Sequence, residues 1–200
     1  GVTRSYTAAY DDVRRVIDAQ RGKRVFGLSM VLARGHTVFV ADTTVHELPS
    51  SVEMADIAVQ TAEVARRLGH EPRVAMLSFS NFGNPGWPTA DRVREAVSLM
   101  DSRVTDFEYD GEMSADVALN PELKELYPFC RLSGPANVLI MPALHSANIS
   151  SKLLQELGRG TLIGPILVGL SKPVQIAAMG ASVGDLVNMA ALAAHEAARS

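Results

Sequence analysis

The sequence predicts an α/β fold, a three-layer sandwich in which a β-sheet is covered by helices on both faces. From residue 73 onward, short apolar runs alternate with segments of helical periodicity. Some runs are apolar throughout, such as VLIM at residues 138–141, which is typical of strands buried on both faces. The chain has 200 residues and 47% hydrophobic content, enough for one domain or two small lobes with a real core.

The first predicted elements are a helix and a pair of strands. Apolar residues recur at helical spacing over residues 5–20, and Gly22 is expected to end that helix. Two β-rich runs follow at residues 25–33 and 37–41. Between them, Arg34-Gly35-His36 predicts a hairpin or a tight turn.

A second helix is expected to begin near Ser50 or Ser51, which can cap it, with Glu53 in its first turn and Gly69 at its end. Apolar runs bounded by turn residues then predict strands at residues 73–80, 105–110, 137–142, 161–170 and 174–178. Helical spacing predicts helices at residues 89–100, 113–119, 122–127, 146–157 and 182–198. This alternation is the pattern that indicates helices on both faces of the sheet.

Composition and charge exclude several classes of protein. The net charge is −3 and the chain has no run of Lys and Arg, which argues against a nucleic-acid-binding protein. No apolar stretch reaches membrane-spanning length, and the first residues lack the apolar core of a signal peptide. Cys130 is the single cysteine, so no internal disulfide can form and a cytoplasmic location is predicted.

Ligands of α/β proteins bind beyond the carboxyl ends of the strands, and this rule selects four loops. The first is SFSNFGNPGWP, residues 78–88, in which Ser78 and Ser80 end a strand and Asn81 begins a glycine-rich loop. Its backbone N–H groups and the helix that follows can hold an anion. A plain strand-to-helix turn is the more common outcome for such a loop, and the standard nucleotide-binding glycine motifs are absent.

The second loop, YDGEMSAD at residues 109–116, carries Asp110, Glu112 and Asp116. Their spacing does not match a calcium loop, and no histidine joins them at ligand spacing. A solvated acidic turn with Asp110-Gly111 as the turn pair is therefore expected. The five histidines of the chain are also scattered, so no metal site is predicted.

The third loop lies within residues 141–155, where a strand ends at Pro142 and Ser146 or Asn148 can cap the next helix. His145 suggests a general base, but a lone histidine in a loop is more often a surface residue. No nucleophile elbow accompanies it.

The fourth loop is SKPVQIAAMGASVGD, residues 171–185. It has the outline of a ligand site, in which Gly180 ends a strand, Ser182 can cap a helix and Asp185 lies at its third position. Its middle, residues 175–180, holds no group that can carry charge or accept a proton. The simpler interpretation is that Asp185 is a capping-box acid and the apolar residues before it belong to the core.

In this order, the four loops resemble motifs of the phosphate acetyl/butyryltransferase (phosphotransacetylase) family. RVAMLSFSN is similar to the strand-end serine motif of that family, and DGEMSADVAL to its DGPLQxDAA segment. ANVLIMPALHSANISSKLLQ resembles ANVLIFPDLxxGNIxYKL, and GPILVGLSKPVQIAAMGASVGDLVN resembles the ending GPxLxGLxxPVxDLSRGxSVxDIVN. The resemblance runs from about Val45 to the end of the chain. Within the family, the residues of these motifs look more similar still to one branch, the carboxyl-terminal domain of large hybrid NADP-dependent malic enzymes of bacteria.

The resemblance implies a pair of α/β lobes related to isocitrate dehydrogenase, with the active site in the cleft between them. A complete family member is considerably longer than this chain. Residues 1–176 are then expected to form the second lobe, and residues 177–200 the returning carboxyl-terminal helix segment.

The family ending carries a functional trio: a Ser-Arg pair before the glycine and an Asp after it. The Asp is thought to act as base on the thiol of coenzyme A, while Ser and Arg bind phosphate. Asp185 matches the Asp, whereas Ala178 and Met179 stand where Ser and Arg would be, and Ile176 replaces an acid. Residues 81–83 read Asn-Phe-Gly in place of the usual Thr-Lys-Gly. The resemblance therefore implies an acyltransferase site without its phosphate-binding half.

The implied function is that of a regulatory, non-catalytic domain of an NADP-dependent malic enzyme, which decarboxylates malate oxidatively to pyruvate. The domain is expected to bind acetyl-CoA, to support homo-oligomer assembly and to hold no cofactor of its own. NADP and a divalent metal are expected in an upstream malic enzyme module of the same chain. Two alternatives stay open, an active phosphate acetyltransferase and a domain that serves oligomerisation alone.

The residues expected to line the ligand cleft come from the ends of strands and the starts of helices: Ser78, Ser80, Asn81, His145, Asn148 and Asp185. Asp185 is predicted to be catalytic only if the domain is an active transferase. Lys152 adds a positive charge nearby, although a lysine on a helix surface is usually just solvated.

Overall fold

The structure, a computed structural model, describes residues 5–33, 35–103, 105–158 and 160–198. The helices are α1 (Tyr6–Arg14), α2 (Ser51–Arg67), α3 (Pro88–Asp101), α4 (Ala115–Leu119), α5 (Pro121–Lys124), α6 (Leu144–Gly158) and α7 (Val183–Ala197). The strands are β1 (Phe26–Ala33), β2 (His36–Ala41), β3 (Arg73–Leu77), β4 (Glu108–Met113), β5 (Val138–Ile140) and β6 (Thr161–Val168). Among the described residues, no helix combines the length and the apolar character needed to cross a membrane.

The six strands form one sheet in the order β4-β3-β5-β2-β1-β6. β1 is antiparallel to both of its neighbours, β2 and β6, whereas the pairs β2–β5, β5–β3 and β3–β4 are parallel. Five strands therefore direct their carboxyl ends to the same edge, which is the edge where α/β proteins bind ligands.

Helices cover both faces of the sheet, and the predicted α/β fold is confirmed. On one face, α2, α3 and α7 pack against buried strand residues such as Phe39 and Met76. On the other face, α4 and α6 pack against Val40 and Leu139. Because successive side chains of a strand point to opposite faces, Phe39 and Val40 enter different cores. The continuous apolar runs in the sequence are explained by these two cores.

β1 and β2 form the predicted hairpin, with Ala33 opposite His36. Arg34 of the predicted turn lies outside the described residues. α1 is shorter than the predicted helix at residues 5–20, because the chain beyond Arg14 turns toward the segment after β6. There the Gln20 N–H donates to the carbonyl oxygen of Gly169 (2.8 Å).

The strand predicted at residues 174–178 is wrong, since these residues have no regular secondary structure. The side-chain amide of Gln175 forms the pair of hydrogen bonds to the β6 backbone that a neighbouring strand would otherwise form. Its Oε1 accepts from the Leu167 N–H (2.8 Å) and its Nε2 donates to the Leu167 carbonyl (3.3 Å).

The solvated acidic turn predicted around Asp110-Gly111 is also wrong. Asp110 and Glu112 lie in β4, and they are 5% and 0% exposed. Each is paired with an arginine, Asp110 with Arg131 (3.1 Å) and Glu112 with Arg94 (3.0 Å). Long-range partners of this kind leave no signal in the local sequence, where acidic residues around a glycine favour a turn.

Candidate functional site

A cavity of about 540 Å³ lies between α6, the start of α7 and the loop that follows β2. From α6 it is lined by Asn148, Ser151 and Lys152. The segment that leads into α7 contributes Ala178, and the first turn of that helix contributes Asp185. The cavity thus brings together the third and fourth loops that the sequence selects.

Asp185 caps α7 as well as lining the cavity. The Ser182 hydroxyl oxygen accepts from the Asp185 N–H (3.2 Å), and Asp185 Oδ2 accepts from the Ser182 N–H (2.8 Å). This capping box confirms the interpretation of Asp185 as a capping-box acid. The expectation that the apolar residues before it belong to the core is wrong for Ala178 and Met179, because they lie at the exposed turn that leads into α7. The hydrogen bond from the Ser182 backbone, together with one from its hydroxyl, keeps the pKa of Asp185 below its usual value. A carboxylate with a lowered pKa is a weaker base toward a thiol.

The two positions that precede Gly180 present a methyl group and a thioether. Ala178 lines the cavity, and Met179 is 62% exposed. Neither side chain has an N–H or O–H group that could bind a phosphate oxygen. Lys152 does line the same cavity, so one cation remains there. Its ammonium group is a point charge and does not reproduce the two parallel hydrogen bonds of a guanidinium.

The loop after β2 forms another wall of the cavity, and a buried carboxylate determines its shape. Asp42 is 2% exposed and accepts from the backbone N–H groups of Gly27 (3.0 Å), Thr44 (2.7 Å) and His46 (2.8 Å). The Nδ1 atom of His46 lies 2.6 Å from Asp42 Oδ2. These bonds wrap the loop around the carboxylate and place Thr43 and Thr44 at the cavity.

Three buried hydroxyl oxygens of cavity-lining residues have no hydrogen-bond partner among the described residues: those of Tyr6, Thr44 and Ser151. Burial raises the pKa of the Tyr6 phenol, and the charge of Asp42 raises it further. The nearby hydroxyl of Thr44 lowers the pKa of Tyr6 in part, although the two hydroxyls do not meet the geometry of a hydrogen bond. The phenol therefore stays protonated at neutral pH.

Of the six residues predicted to line a ligand cleft, Asn148 and Asp185 line this cavity. The other four do not line it: Ser78, Ser80, Asn81 and His145. His145 is exposed near the start of α6, and the other three belong to the loop after β3. A ligand-binding role for these four stays a prediction.

The loop after β3 is hydrogen-bonded to the buried carboxylate of Glu112 in β4. Ser80 is fully buried, and its hydroxyl donates to Glu112 Oε1 (2.7 Å). The same oxygen accepts from the Gly83 N–H (2.8 Å) and from the Arg94 guanidinium (3.0 Å). Asn81 Oδ1 accepts from the backbone N–H that follows β4 (2.7 Å). In this structure Ser80 and Asn81 therefore have a structural role.

Sequence reasoning missed Tyr6, Thr43 and Thr44 as residues of the cavity. The strand-end rule, applied to the strand predicted at residues 37–41, selects the loop that contains both threonines. No comparable signal exists for Tyr6, because its position depends on how α1 packs against the rest of the domain.

A second cavity, of about 530 Å³, lies at the far end of α7 near His195. Its wall contains the ion pair of Lys23 with Glu63 (2.6 Å) and groups of both charges. None of the predicted site residues lines it. In the part of the chain that the structure describes, no cluster of three or more His, Cys, Asp or Glu residues is arranged to hold a metal ion.

A family model described as phosphate acetyl/butaryl transferase matches residues 1–194 of the chain. The chain belongs to this family. Within it, an NADP-dependent malic enzyme of Rhizobium meliloti (strain 1021) is 62% identical over 197 residues, which are 98% of this chain and 26% of that protein. A phosphate acetyltransferase of Clostridium acetobutylicum is 41% identical over 161 residues, or 80% of this chain and 48% of that protein. The chain thus corresponds to about a quarter of the malic enzymes it matches, in their carboxyl-terminal part.

The fold of the transferase family extends over the whole chain. A phosphotransacetylase from Streptococcus pyogenes superposes on it with a TM-score of 0.93 at 34% identity, covering 100% of this chain and 62% of that one. The family resemblance inferred from the four motifs is therefore confirmed. The division into a second lobe at residues 1–176 and a returning segment at 177–200 stays a prediction.

Proposed function

We propose that this family member is a regulatory domain that binds acetyl-CoA for a malic enzyme module of the same chain and does not transfer the acetyl group. The malic enzyme of Rhizobium meliloti matches 98% of the chain at 62% identity, whereas the Clostridium acetobutylicum phosphate acetyltransferase matches 80% at 41%. This difference favours the malic enzyme context. An upstream module that uses NADP and a divalent metal, a homo-oligomeric state and a cytoplasmic location belong to the same proposal.

The observation that carries the proposal is that the cavity contains Asp185 together with Ala178, and that the next residue is the exposed Met179. Acyl-phosphate chemistry needs preorganised donors where charge develops, and removing one donor costs about two to three powers of ten in rate. Binding has no such requirement. A cavity of about 540 Å³ with both polar and apolar walls has the size of a small-molecule site.

An active acyltransferase is the second candidate, because the cavity retains one carboxylate and one ammonium group, those of Asp185 and Lys152. Its weakness is the lowered pKa of Asp185, which reduces the basicity that thiol deprotonation requires.

Titration calorimetry and a transferase assay on the same protein test these candidates. We expect acetyl-CoA to bind with saturable heat, and acetyl phosphate with coenzyme A to give no turnover. Turnover that disappears in Asp185→Ala would overturn the proposal in favour of the active enzyme. Absence of both heat and turnover would instead favour a domain that serves oligomerisation alone.

Restoring the missing phosphate-binding groups is a further test. The double variant Ala178→Ser, Met179→Arg returns a hydroxyl and a guanidinium to positions beside the cavity, so we expect weak acyl transfer above the background of the unaltered protein. Met179→Lys with Ala178→Ser is the matched control, because a lysine supplies the charge without the bidentate geometry. Equal rates for the two double variants would show that charge alone limits transfer.

A further inference from the structure

The second cavity, of about 530 Å³, lies at the carboxyl end of β6. Because β1 is antiparallel to both β2 and β6, β6 runs parallel to β2, and its carboxyl end belongs to the edge of the sheet where α/β proteins bind ligands. The loop at residues 169–173 forms one wall, and the ends of α2 and α7 contribute Arg67 and His195. Small-molecule sites have volumes of about 300–1,000 Å³. Position and size therefore both indicate a ligand site.

The backbone of the loop after β6 is held in place by its neighbours. Gly169 has a φ of 87°, and a side chain there would collide with the backbone that precedes β1, so glycine is required. The Gly169 carbonyl oxygen accepts from the Gln20 N–H (2.8 Å), and the Ser171 N–H donates to the carbonyl oxygen of Asp18 (2.9 Å). Lys172 follows directly in the chain, so this cation extends from an anchored backbone.

The wall of this cavity carries more positive than negative side chains. Glu63 is neutralised by Lys23, whose ammonium group donates to both carboxylate oxygens (2.9 and 2.6 Å). Arg67 and Lys172 also line the cavity, and no carboxylate of the described residues forms an ion pair with either of them. Two cations on different elements, the last residue of α2 and the loop after β6, are thus left to bind another group.

Glu196 is the remaining acid of the wall. Burial raises the pKa of this carboxyl group, and the charges of Arg67 and His195 oppose the rise. A carboxylate whose charged form is disfavoured by burial offsets nearby cations less than a fully solvated one does. Arg67 and Lys172 therefore give the cavity a surplus of positive charge.

The rest of the lining is neutral. Gln20 and Ser171 contribute a side-chain amide and a hydroxyl group, and Leu170 and Pro173 contribute apolar surface. A cavity with cations, neutral hydrogen-bonding groups and apolar surface suits a ligand that has an anionic end and an organic body.

We propose that this second cavity binds a small organic dianion, a phosphate monoester or a dicarboxylate, through Arg67 and Lys172. The planar guanidinium of Arg67 can donate two parallel hydrogen bonds to a phosphate or a carboxylate group, and Lys172 supplies a point charge. Asp185 lines the first cavity and His195 the second, so the two sites lie at opposite ends of α7. Binding of the dianion is therefore independent of the proposed binding of acetyl-CoA.

Titration calorimetry at low ionic strength, where charges are least screened, tests binding with two probes, glycerol phosphate and succinate. We expect saturable heat from at least one of them and none from glycerol, which has the organic body without the charge. Heat from glycerol phosphate alone would identify a phosphate group, and heat from succinate alone a pair of carboxylates. Absence of heat from both probes would overturn the proposal.

Single variants place the bound probe in this cavity. We expect Arg67→Gln to weaken its binding about tenfold and Lys172→Gln about threefold to fivefold, because each removes one cation. Glu196→Gln should strengthen binding about twofold, since it removes the nearest like charge. Arg66→Gln is the matched control, because Arg66 precedes Arg67 on α2 but does not line the cavity and pairs with Asp106 (2.8 Å).

Equal losses of affinity in the Arg66 and Arg67 variants would show that the probe responds only to the overall charge of the protein, and the proposal would fail. Displacement of the bound probe by acetyl-CoA would also overturn it, because the two ligands would then share one site. We expect the affinity for acetyl-CoA to be the same in Arg67→Gln as in the unaltered protein.

Discussion

Glu112 is a fully buried carboxylate whose partners come from two other elements. Its Oε1 accepts from Ser80, Gly83 and Arg94, whereas its Oε2 has no partner among the described residues. A buried charge is tolerated when it is paired and hydrogen-bonded, and removing one partner leaves the other charge uncompensated. This single residue therefore holds the loop after β3 against β4.

We expect Arg94→Met to lower the free energy of unfolding by about 3 kcal/mol, because it leaves Glu112 buried without its cation. Urea unfolding followed by circular dichroism measures this change. Arg66→Met is the matched control, since Arg66 also pairs with two acids, Asp106 and Glu71, but on the exposed surface. A similar shift of the unfolding midpoint in both variants would contradict the assigned role of Glu112.

At the level of elements, the start of α7 shows how a capping box fixes the residue at which a helix begins. Ser182 and Asp185 satisfy each other's backbone N–H groups, so the helix begins at a defined residue whatever stands at positions 178 and 179. The same arrangement occurs at α2, where Ser50 and Glu53 form a capping box. Capping of this kind depends on residues three apart, and both boxes are visible in the sequence.

We expect Ser182→Ala to lower the melting temperature by about 2–4 °C, because the first turn of α7 loses its cap. The pKa of Asp185 should rise toward its usual value, since the hydroxyl and the cap geometry that stabilise its carboxylate are lost. A carboxylate whose pKa is lowered by folding contributes stability above its unfolded pKa of about 3.9, and this is lost as the pH falls through the folded pKa.

The difference in melting temperature between Ser182→Ala and the unaltered protein should therefore become smaller as the pH falls below about 4. Thermal unfolding between pH 3 and 7 measures this difference, and Ser98→Ala, an exposed serine inside α3 that caps no helix, serves as the control. A pH-independent difference would show that the carboxylate of Asp185 takes no part in the cap.

At the scale of the whole molecule, α6 and α7 carry apolar faces that remain exposed. On α6 one stripe recurs every fourth residue, and on α7 the exposed apolar residues lie in the first two turns. They are Ile149, Leu153 and Leu157 on α6, and Val183, Leu186 and Val187 on α7. Exposed apolar residues along a helix are typical of an interface, which agrees with the proposed homo-oligomer and with the alternative of a domain that serves oligomerisation alone.

We expect the double variant Leu153→Glu, Leu157→Glu to dissociate the oligomer, so that the mass of the particle in solution falls toward that of a monomer. The reason is that two charges would be buried without partners at the interface. Sedimentation velocity measures the mass, and circular dichroism confirms that the helix content is unchanged. Leu48→Glu is the matched control, since Leu48 is also exposed but lies outside both helices. A monomer before and after the substitutions would refute assembly through α6.

Much of the fold was predictable because it depends on local patterns. Caps, apolar periods and turn residues located nearly every helix and strand, as in α2 between Ser50 and Gly69. The errors arose where side-chain partners decided the structure: the Gln175 amide, which bonds to the β6 backbone, and the arginines that pair with Asp110 and Glu112 in β4. Local patterns contain no information about such partners.

The residue order alone determined the family, the alternation of strands and helices, and the apolar pair Ala178-Met179 in front of Gly180, because each of these is read from neighbouring positions. Only the tertiary structure decided which loops share a cavity. The strand order differs from the chain order, so Asn148 and Asp185 meet with Tyr6 from the start of the chain, while Ser80 lies elsewhere against Glu112. Contacts between distant segments follow from packing of the sheet and its helices, and no short stretch of sequence contains them.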